Sequence, residues 1–387
     1  MDQKFWDGTI EFFDMLRKRG PLPSVHYNMS SFTRSNVNLR NIPITQLDIG
    51  NEGEYDVFDI GINSSILPTT LTGMDVALCS QGRLSPNFDL RDMTSLEVLG
   101  FGELVAPLDC SLFPPSLAFL TLYSPYKLPV FNLPPSLTDL TIFALNYPHP
   151  INHPTLRMLY INLSSTALPA SPNLVELFLE SFNIHHLGTI TSDTFPVLDK
   201  LVIGSIDGEP TSELDLSTLP AYLRRLEIAP NGQITSFPSG IEHLLIRLDK
   251  FSLKMTSSMW PSPSHINTLT LHGGLNTYTL KPGDIPGESI TSLNLIFYDQ
   301  PIANLAMITP SLRYYRWHDD RSIKYIDQGQ QFMDHIPLTT SHIVIHIKSV
   351  AFDLRRISPT LFLHIDPDLI RSGFIHLDKI QHILEQQ

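Results

Sequence analysis

The motif [apolar or small]-Pro-x-Leu-x-x-Leu-x-Leu returns along this chain in phase with itself. FPPSLAFLTLYS at 113–124 comes back as LPPSLTDLTIFA at 133–144, HPTLRMLYINLS at 153–164 and SPNLVELFLESF at 171–182. FPVLDKLVIGS, LPAYLRRLEIAP, FPSGIEHLLIRL, SPSHINTLTLHG and TPSLRYYRWHD continue the series. The leading apolar positions are Ile44, Leu71, Leu96, Leu117, Leu137, Leu156, Leu174, Leu198, Leu223, Ile241, Ile266, Ile290 and Leu312. Two weaker units begin near Thr340 and Thr360, where Ile343/Ile345 and Leu363/Ile365 keep the pattern. Steps between leading positions run from 18 to 28 residues. A period of this size is the mark of a stack in which each turn buries its apolar face against its neighbours.

Leu-x-Leu alternation sets two leucines on one face of a short strand and the intervening residues on the other. The leucine three residues upstream fills the same interior layer as the chain enters the strand. Proline before it fixes φ and disfavours helix in the preceding residue, so each turn is reset to the same register. Turns of 18–21 residues leave no room for an α-helix on the far side, while the longer ones have room for a 3-10 turn. The expected architecture is a β-dominated solenoid of about fifteen units, with one parallel sheet and a largely extended opposite side.

The repeat grammar resembles the leucine-rich-repeat family. The PPSLxxLxx stretches look like the short, proline-containing repeats of bacterial effector proteins. LNYPHPINHPTLRML at 145–159 is similar to the FNIP repeats of social amoebae and large amoebal viruses. The resemblance implies a leucine-rich-repeat horseshoe with a concave parallel sheet, serving as a non-catalytic scaffold for protein–protein interaction. The family's usual asparagine after the second leucine is mostly replaced here, by Ser124, Ala144, Ser181, Ser205 and Pro230.

The ends read as caps that shield the core of the stack. Residues 1–40 carry an amphipathic pattern over 2–19, with Phe5, Trp6, Ile10, Phe13 and Leu16 on one face. The solenoid is expected over 41–366. Residues 367–387 predict a C-terminal helix after Asp366-Pro367, an N-cap followed by Pro at the first helical position. Either helix could instead recruit a partner, which makes a substrate adaptor of a ubiquitin-ligase-type complex the first alternative function.

A net charge of −13 repels a phosphate backbone, so no nucleic-acid partner is expected. The two cysteines, Cys79 and Cys110, fall in separate repeats without CxxC spacing, which fits a reducing compartment. No basic stretch followed by an apolar run opens the chain, and no 18-residue apolar run follows, so neither a signal peptide nor a membrane span is expected. The expectation is a cytoplasmic protein without cofactor.

Outward strand positions, two, four and six residues after each leading leucine, line the surface on which a protein partner would sit. They include Phe119, Tyr123, Phe143, Tyr160 and Phe178 in the middle repeats, then Arg225, Arg247, His272, Tyr314, Arg316 and His318. Aromatics and arginine are the residue types most enriched in binding hot spots. The same aromatics would also stabilise the sheet by stacking across strands. Six histidines (His243, His272, His318, His342, His346 and His364) share these positions, which predicts an acidic partner at the C-terminal end and tighter binding as the imidazoles charge. A second alternative function, a parallel β-helix acting on polysaccharide, rests on the WHDDRSIK segment at 317–324, which places carboxylates beside cations.

Overall fold

The computed structural model describes residues 26–29, 39–49, 64–77, 88–102, 109–124, 132–144, 151, 153–162, 168, 170–207, 213–248, 254–273, 280–297, 304–319, 332–347, 350–366 and 372–385. The chain divides into two compact units, residues 1–180 and 181–387, each considered by itself. The amphipathic pattern at 2–19 lies outside the described residues.

In the first unit one strand per repeat joins a parallel ladder in chain order. Its members are β1 (His26–Met29), β2 (Gln46–Ile49), β3 (Gly73–Ala77), β4 (Val98–Gly102), β5 (Phe119–Ser124), β6 (Asp139–Ala144), β7 (Met158–Ile161) and β8 (Glu176–Asn183), the last crossing the unit boundary. Each pairs in parallel with the strand before it, repeat position against repeat position. The ladder thus starts one strand earlier than the repeat pattern shows, inside the segment expected to be a cap.

The second unit continues the same device. Strands β9 (Lys200–Asp207), β11 (Arg225–Ile228), β13 (His243–Arg247), β14 (Thr268–His272), β15 (Ser292–Ile296), β16 (Tyr314–Asp319) and β17 (His342–Ile347) pair in parallel. A separate parallel pair, β10 (Glu213–Asp215) and β12 (Gln233–Ser236), forms within two successive connections. Elsewhere the connections carry 3-10 turns at Ile184–Thr189, Ser257–Met259 and Phe332–His335, and a four-residue helix, α1 (Leu305–Ile308). Both units are turns of a leucine-rich-repeat-like β-solenoid.

Every leading position from Ile44 to Leu312 is buried, and so are the two positions of each Leu-x-Leu pair, down to Tyr315 and Trp317 in β16. Burying a leucine-sized side chain contributes about 1.5–3 kcal/mol, so three per turn dominate the stability of the stack. The proline has a more specific role than a helix stop. In the six turns with proline directly after the acceptor, the leading N–H donates to the carbonyl three residues back: Leu117 to Pro114, Leu137 to Pro134, Leu156 to His153, Leu174 to Ser171, Leu198 to Phe195 and Leu312 to Thr309. Pro115, Pro135, Pro154, Pro172, Pro196 and Pro310 then occupy the second place of a β-turn, where their fixed φ is preformed.

Hydroxyls tie one turn to the next. Ser116 Oγ donates to Leu96 O at 2.7 Å, Ser136 Oγ to Leu117 O at 2.6 Å and Thr155 Oγ1 to Leu137 O at 2.7 Å. Thr70 does the same for Ile44 at 2.8 Å and, in the second unit, Thr339 for Leu312 at 3.0 Å. The Ser or Thr of the Pro-Ser-Leu motif therefore satisfies the carbonyl of the buried leucine one turn earlier. Where the family places asparagine, Ser181 and Ser205 meet hydroxyl to hydroxyl at 3.2 Å.

The C-terminal end departs from the sequence pattern. Thr340 is a true leading position: it is fully buried, and β17 is parallel to β16. The unit expected at Thr360 is not a repeat. Strands β18 (Val350–Arg356), β19 (Leu361–His364) and β20 (Gly373–His376) form an antiparallel meander on β17. In β19 it is Phe362 that is buried, not Leu363, because a change of register by one residue exchanges the faces of a strand. The helix expected over 367–387 is α2, shortened to Leu377–Glu385, since 373–376 find hydrogen-bond partners in β19 instead. Ile380 and Leu384 of α2 are buried, and the helix lies against the Phe332–His335 turn. Among the described residues no helix is long and apolar enough to cross a membrane.

The hydroxyl ties predict that Ser136→Ala, which leaves the Leu117 carbonyl without its donor, costs about 1–3 kcal/mol. Urea unfolding of the two proteins measures this directly, and Ser136→Thr should recover most of the loss.

Candidate functional site

Alternation turns the second, fourth and sixth residues after each leading position away from the core, onto one face of each ladder. All eleven residues expected to line a binding surface stand on this outward face: Phe119 and Tyr123 on β5, Phe143 on β6, Tyr160 on β7, Phe178 on β8, Arg225 on β11, Arg247 on β13, His272 on β14, and Tyr314, Arg316 and His318 on β16. They do not form one continuous set, and their surroundings differ.

In the first unit four aromatics stack in sequence. Ring centroids lie 6.2 Å apart for Tyr123 and Phe143, 4.7 Å for Phe143 and Tyr160, and 6.0 Å for Tyr160 and Phe178. Cross-strand stacking therefore covers much of Phe143, Tyr160 and Phe178, each only partly exposed. Burial, then the charge and hydrogen bond of Glu180, raise the Tyr160 hydroxyl above its ordinary value. The exposed apolar surface lies at the other end of this row. Val98 and Phe119 are direct neighbours across β4 and β5 and are 44% and 43% exposed, and Tyr123 is 47% exposed. Val98 had no aromatic signal to draw attention to it, although its place in the repeat was readable.

Carboxylates surround this patch. On β2 to β8 the outward positions hold Asp48, Asp75, Asp139, Glu176 and Glu180 and no Lys or Arg among the described residues. Asp48 and Asp75 are register neighbours. Burial, reinforced by the Asp48 charge, raises the Asp75 carboxyl above its usual range. The Asp75 side chain leans over β4, where a Cβ on Gly100 would come within 2.7 Å of its Oδ1 and would push that carboxylate aside.

The outward face of the second unit is cationic and mostly self-neutralised. Asp199 accepts from Arg224 Nε at 2.6 Å and from Arg225 Nε and Nη2 at 3.0 and 2.5 Å. Burial alone would raise the Asp199 carboxyl, but the hydrogen bonds from Arg225 and Arg224 outweigh it and hold it below its usual value. Arg247 pairs with Glu227 of the neighbouring strand. Arg225 and Arg247, expected to bind a partner, are thus already engaged, by Asp199 just before β9 and by Glu227 on β11.

The histidines cluster at the C-terminal side. The Phe297 ring sits edge-on to His272 and His318, at 5.4 and 5.1 Å, and His318 stacks on His346 at 5.4 Å. Phe297 holds a left-handed φ of 51°, a costly conformation for a bulky residue. His342 lies edge-on to Tyr314 at 4.7 Å, and its Nε2 is 3.0 Å from Asp353 Oδ1. Burial depresses the His342 imidazole below its ordinary value, against the opposing charge of Asp353. This residue resists charging, contrary to the expectation that the whole stripe becomes cationic in mild acid. His364 packs edge-on against Phe352 at 5.5 Å on β19, inside the meander.

Two chemical alternatives can be placed. Among the described residues each repeat contributes one strand to its ladder and a second ladder forms at β10 and β12, whereas a parallel β-helix has several strands per coil. Asp319 ends β16, and the rest of the proposed acidic cluster, from Asp320 on, lies outside the described residues. Cys110 is buried and its thiol is pushed up to about 12, far from the thiolate a nucleophile needs.

No protein-family model and no curated protein matches the chain. Among solved structures it is similar to one described as CroV588, a novel circular LRR protein, at 16% identity and a TM-score of 0.40. The match covers 78% of this chain and 56% of that one, so the chain spans little more than half the length of that protein.

The depressed His342 value has a defined sign. Above about pH 6.5 the imidazole is neutral folded or unfolded and contributes nothing. As pH falls below that value the unfolded chain takes up the proton first, and stability declines. The drop in urea midpoint from pH 7.5 to 5.5 should be smaller in His342→Gln than in the parent protein. Asp199→Asn should weaken the parent at neutral pH and remove part of its acid sensitivity below about pH 4, measured by the same unfolding curves.

Proposed function

We propose that the protein is a non-catalytic binding scaffold that engages a protein partner through the outward face of its parallel ladders. The observation that carries this reading is the exposed set Val98, Phe119 and Tyr123, held side by side on adjacent strands of a rigid sheet. Apolar side chains fixed in this way lose little further entropy when a partner covers them, which favours their use as anchors. The surrounding carboxylates define the partner's chemistry: an apolar segment flanked by Lys or Arg complements the first unit, and a phosphate backbone does not. The stacked Phe143, Tyr160 and Phe178 support the patch by stiffening the sheet beneath and beside it.

In this reading α2 acts as a cap, supported by the burial of Ile380 and Leu384, which a recruiting helix would need to offer outward. The kinship with FNIP-type repeats rests on the sequence element at 145–159 and adds no partner of its own.

Affinity capture with the purified chain, compared with a Phe119→Ser, Tyr123→Ser double variant, tests the assignment. Both residues are exposed, so the variant should stay folded within about 0.5 kcal/mol per change. A partner held by the parent and by a Tyr222→Ser control, yet weakened at least tenfold in the double variant, is the expected result. An unchanged set of captured proteins would remove this patch from the binding surface.

A further inference from the structure

The outward arginines on the strands of the second unit share a pattern with one exception. Arg225 is matched by Asp199, Arg247 by Glu227 and Arg355 by Asp353, whose Oδ1 is 3.6 Å from Arg355 Nε. Among the described residues Arg316 has no such match. Its Nε is shut off from solvent and has no hydrogen-bond partner. A guanidinium donor withdrawn from water and left unsatisfied costs more than an ordinary missing hydrogen bond. The residue as a whole remains partly exposed.

The position of Arg316 follows from its repeat. Tyr315 and Trp317, its neighbours in sequence, are buried in the Leu-x-Leu places, and Arg316 between them is turned outward. Across the ladder its register partners are Asn294 and Val344, and Asp353 stands one strand beyond Val344 in the same row. Neither flank supplies an anion. Asn294 uses its amide to donate to Thr270 Oγ1 at 3.0 Å. Asp353 is already engaged by His342 and Arg355, about two strand spacings from Arg316, or roughly 10 Å. Tyr314 and His318 share the strand and the outward face with Arg316.

We propose that Arg316 is an anchor for a single carboxylate, an Asp or Glu side chain presented by an acidic peptide segment of a partner protein. The proposal rests on the reading of the outward face as a binding surface. One unmatched guanidinium carries one positive charge, and a planar carboxylate fits its fork and its charge together. A phosphoryl group carries nearly two negative charges and would meet the Asp353 carboxylate without a second unmatched arginine to balance it. The occupant favoured by charge is therefore a carboxylate.

The test uses the full chain and a fluorescently labelled octaglutamate peptide, with anisotropy read at low salt. Arg316→Met should weaken binding at least tenfold. Arg316→Lys, which keeps the charge and loses the fork, should fall between the two, and Lys379→Met on α2 should bind as the parent does. A second readout is independent of the peptide. Without ligand Arg316→Met should melt at the same temperature as the parent or higher, because it removes an unmatched charge; a clearly lower melting temperature would mean the guanidinium is satisfied within the fold, and would overturn the proposal. Failure of the parent to bind octaglutamate, or equal binding by Arg316→Met, would overturn it as well. Competition by inorganic phosphate at lower concentration than by acetate would overturn the choice of a carboxylate. All these outcomes concern the second unit and are separable from loss of a partner at Phe119 and Tyr123.

Discussion

The carbonyl of the residue after each leading position accepts the backbone N–H of the same residue one turn later, and the next N–H as well. Thr72 to Thr45, Glu97 to Thr72, Ala118 to Glu97, Thr138 to Ala118, Arg157 to Thr138 and Val175 to Arg157 carry this through the first unit at 2.7–2.9 Å. Arg224 to Asp199, Glu242 to Arg224, Asn267 to Glu242, Thr291 to Asn267, Arg313 to Thr291 and Ser341 to Arg313 do so in the second at 2.8–3.0 Å. Because this bond joins equivalent residues, it admits any connection length between turns. Steps of 18 and of 28 residues therefore produce the same register at the sheet, and length differences are taken up in the connections between strands, some of which carry 3-10 turns or α1.

A fixed register has a functional consequence. Residues two, four and six places after the leading position form rows whose members face their counterparts on the next strand. A change on one strand acts first on the strand beside it. This is why Asp75 is shaped by Asp48 behind it and Gly100 ahead, while Arg225, whose counterpart in the row is Lys200, finds its carboxylate in Asp199 just before that strand. The two units use the same scaffold for opposite outward chemistries, carboxylates around exposed apolar groups in one and cations and imidazoles in the other.

The ladder ends when the repeat can no longer supply a parallel partner. After β17 the chain turns back as β18, and the antiparallel meander with α2 covers what another turn would have covered. Leu363 and Ile365 imitate the repeat in spacing, but a strand that arrives through a hairpin takes its register from the hairpin. Spacing alone does not reveal strand direction, so the last apparent repeat was legible only as a pattern.

The sequence by itself determined the solenoid, the buried three-position layer of each turn and which residues face outward, because all of these repeat and a period of two is readable without coordinates. Val98, Asp48 and Asp75 were within reach of the same rule. Only the tertiary structure decided which outward charges remain available. Asp199 and Glu227 are 26 and 20 residues from the arginines they neutralise, and the missing match at Arg316 appears only when neighbouring strands stand beside it. Local alternation fixes the face a side chain takes; the partner across the ladder fixes what that side chain has left to offer.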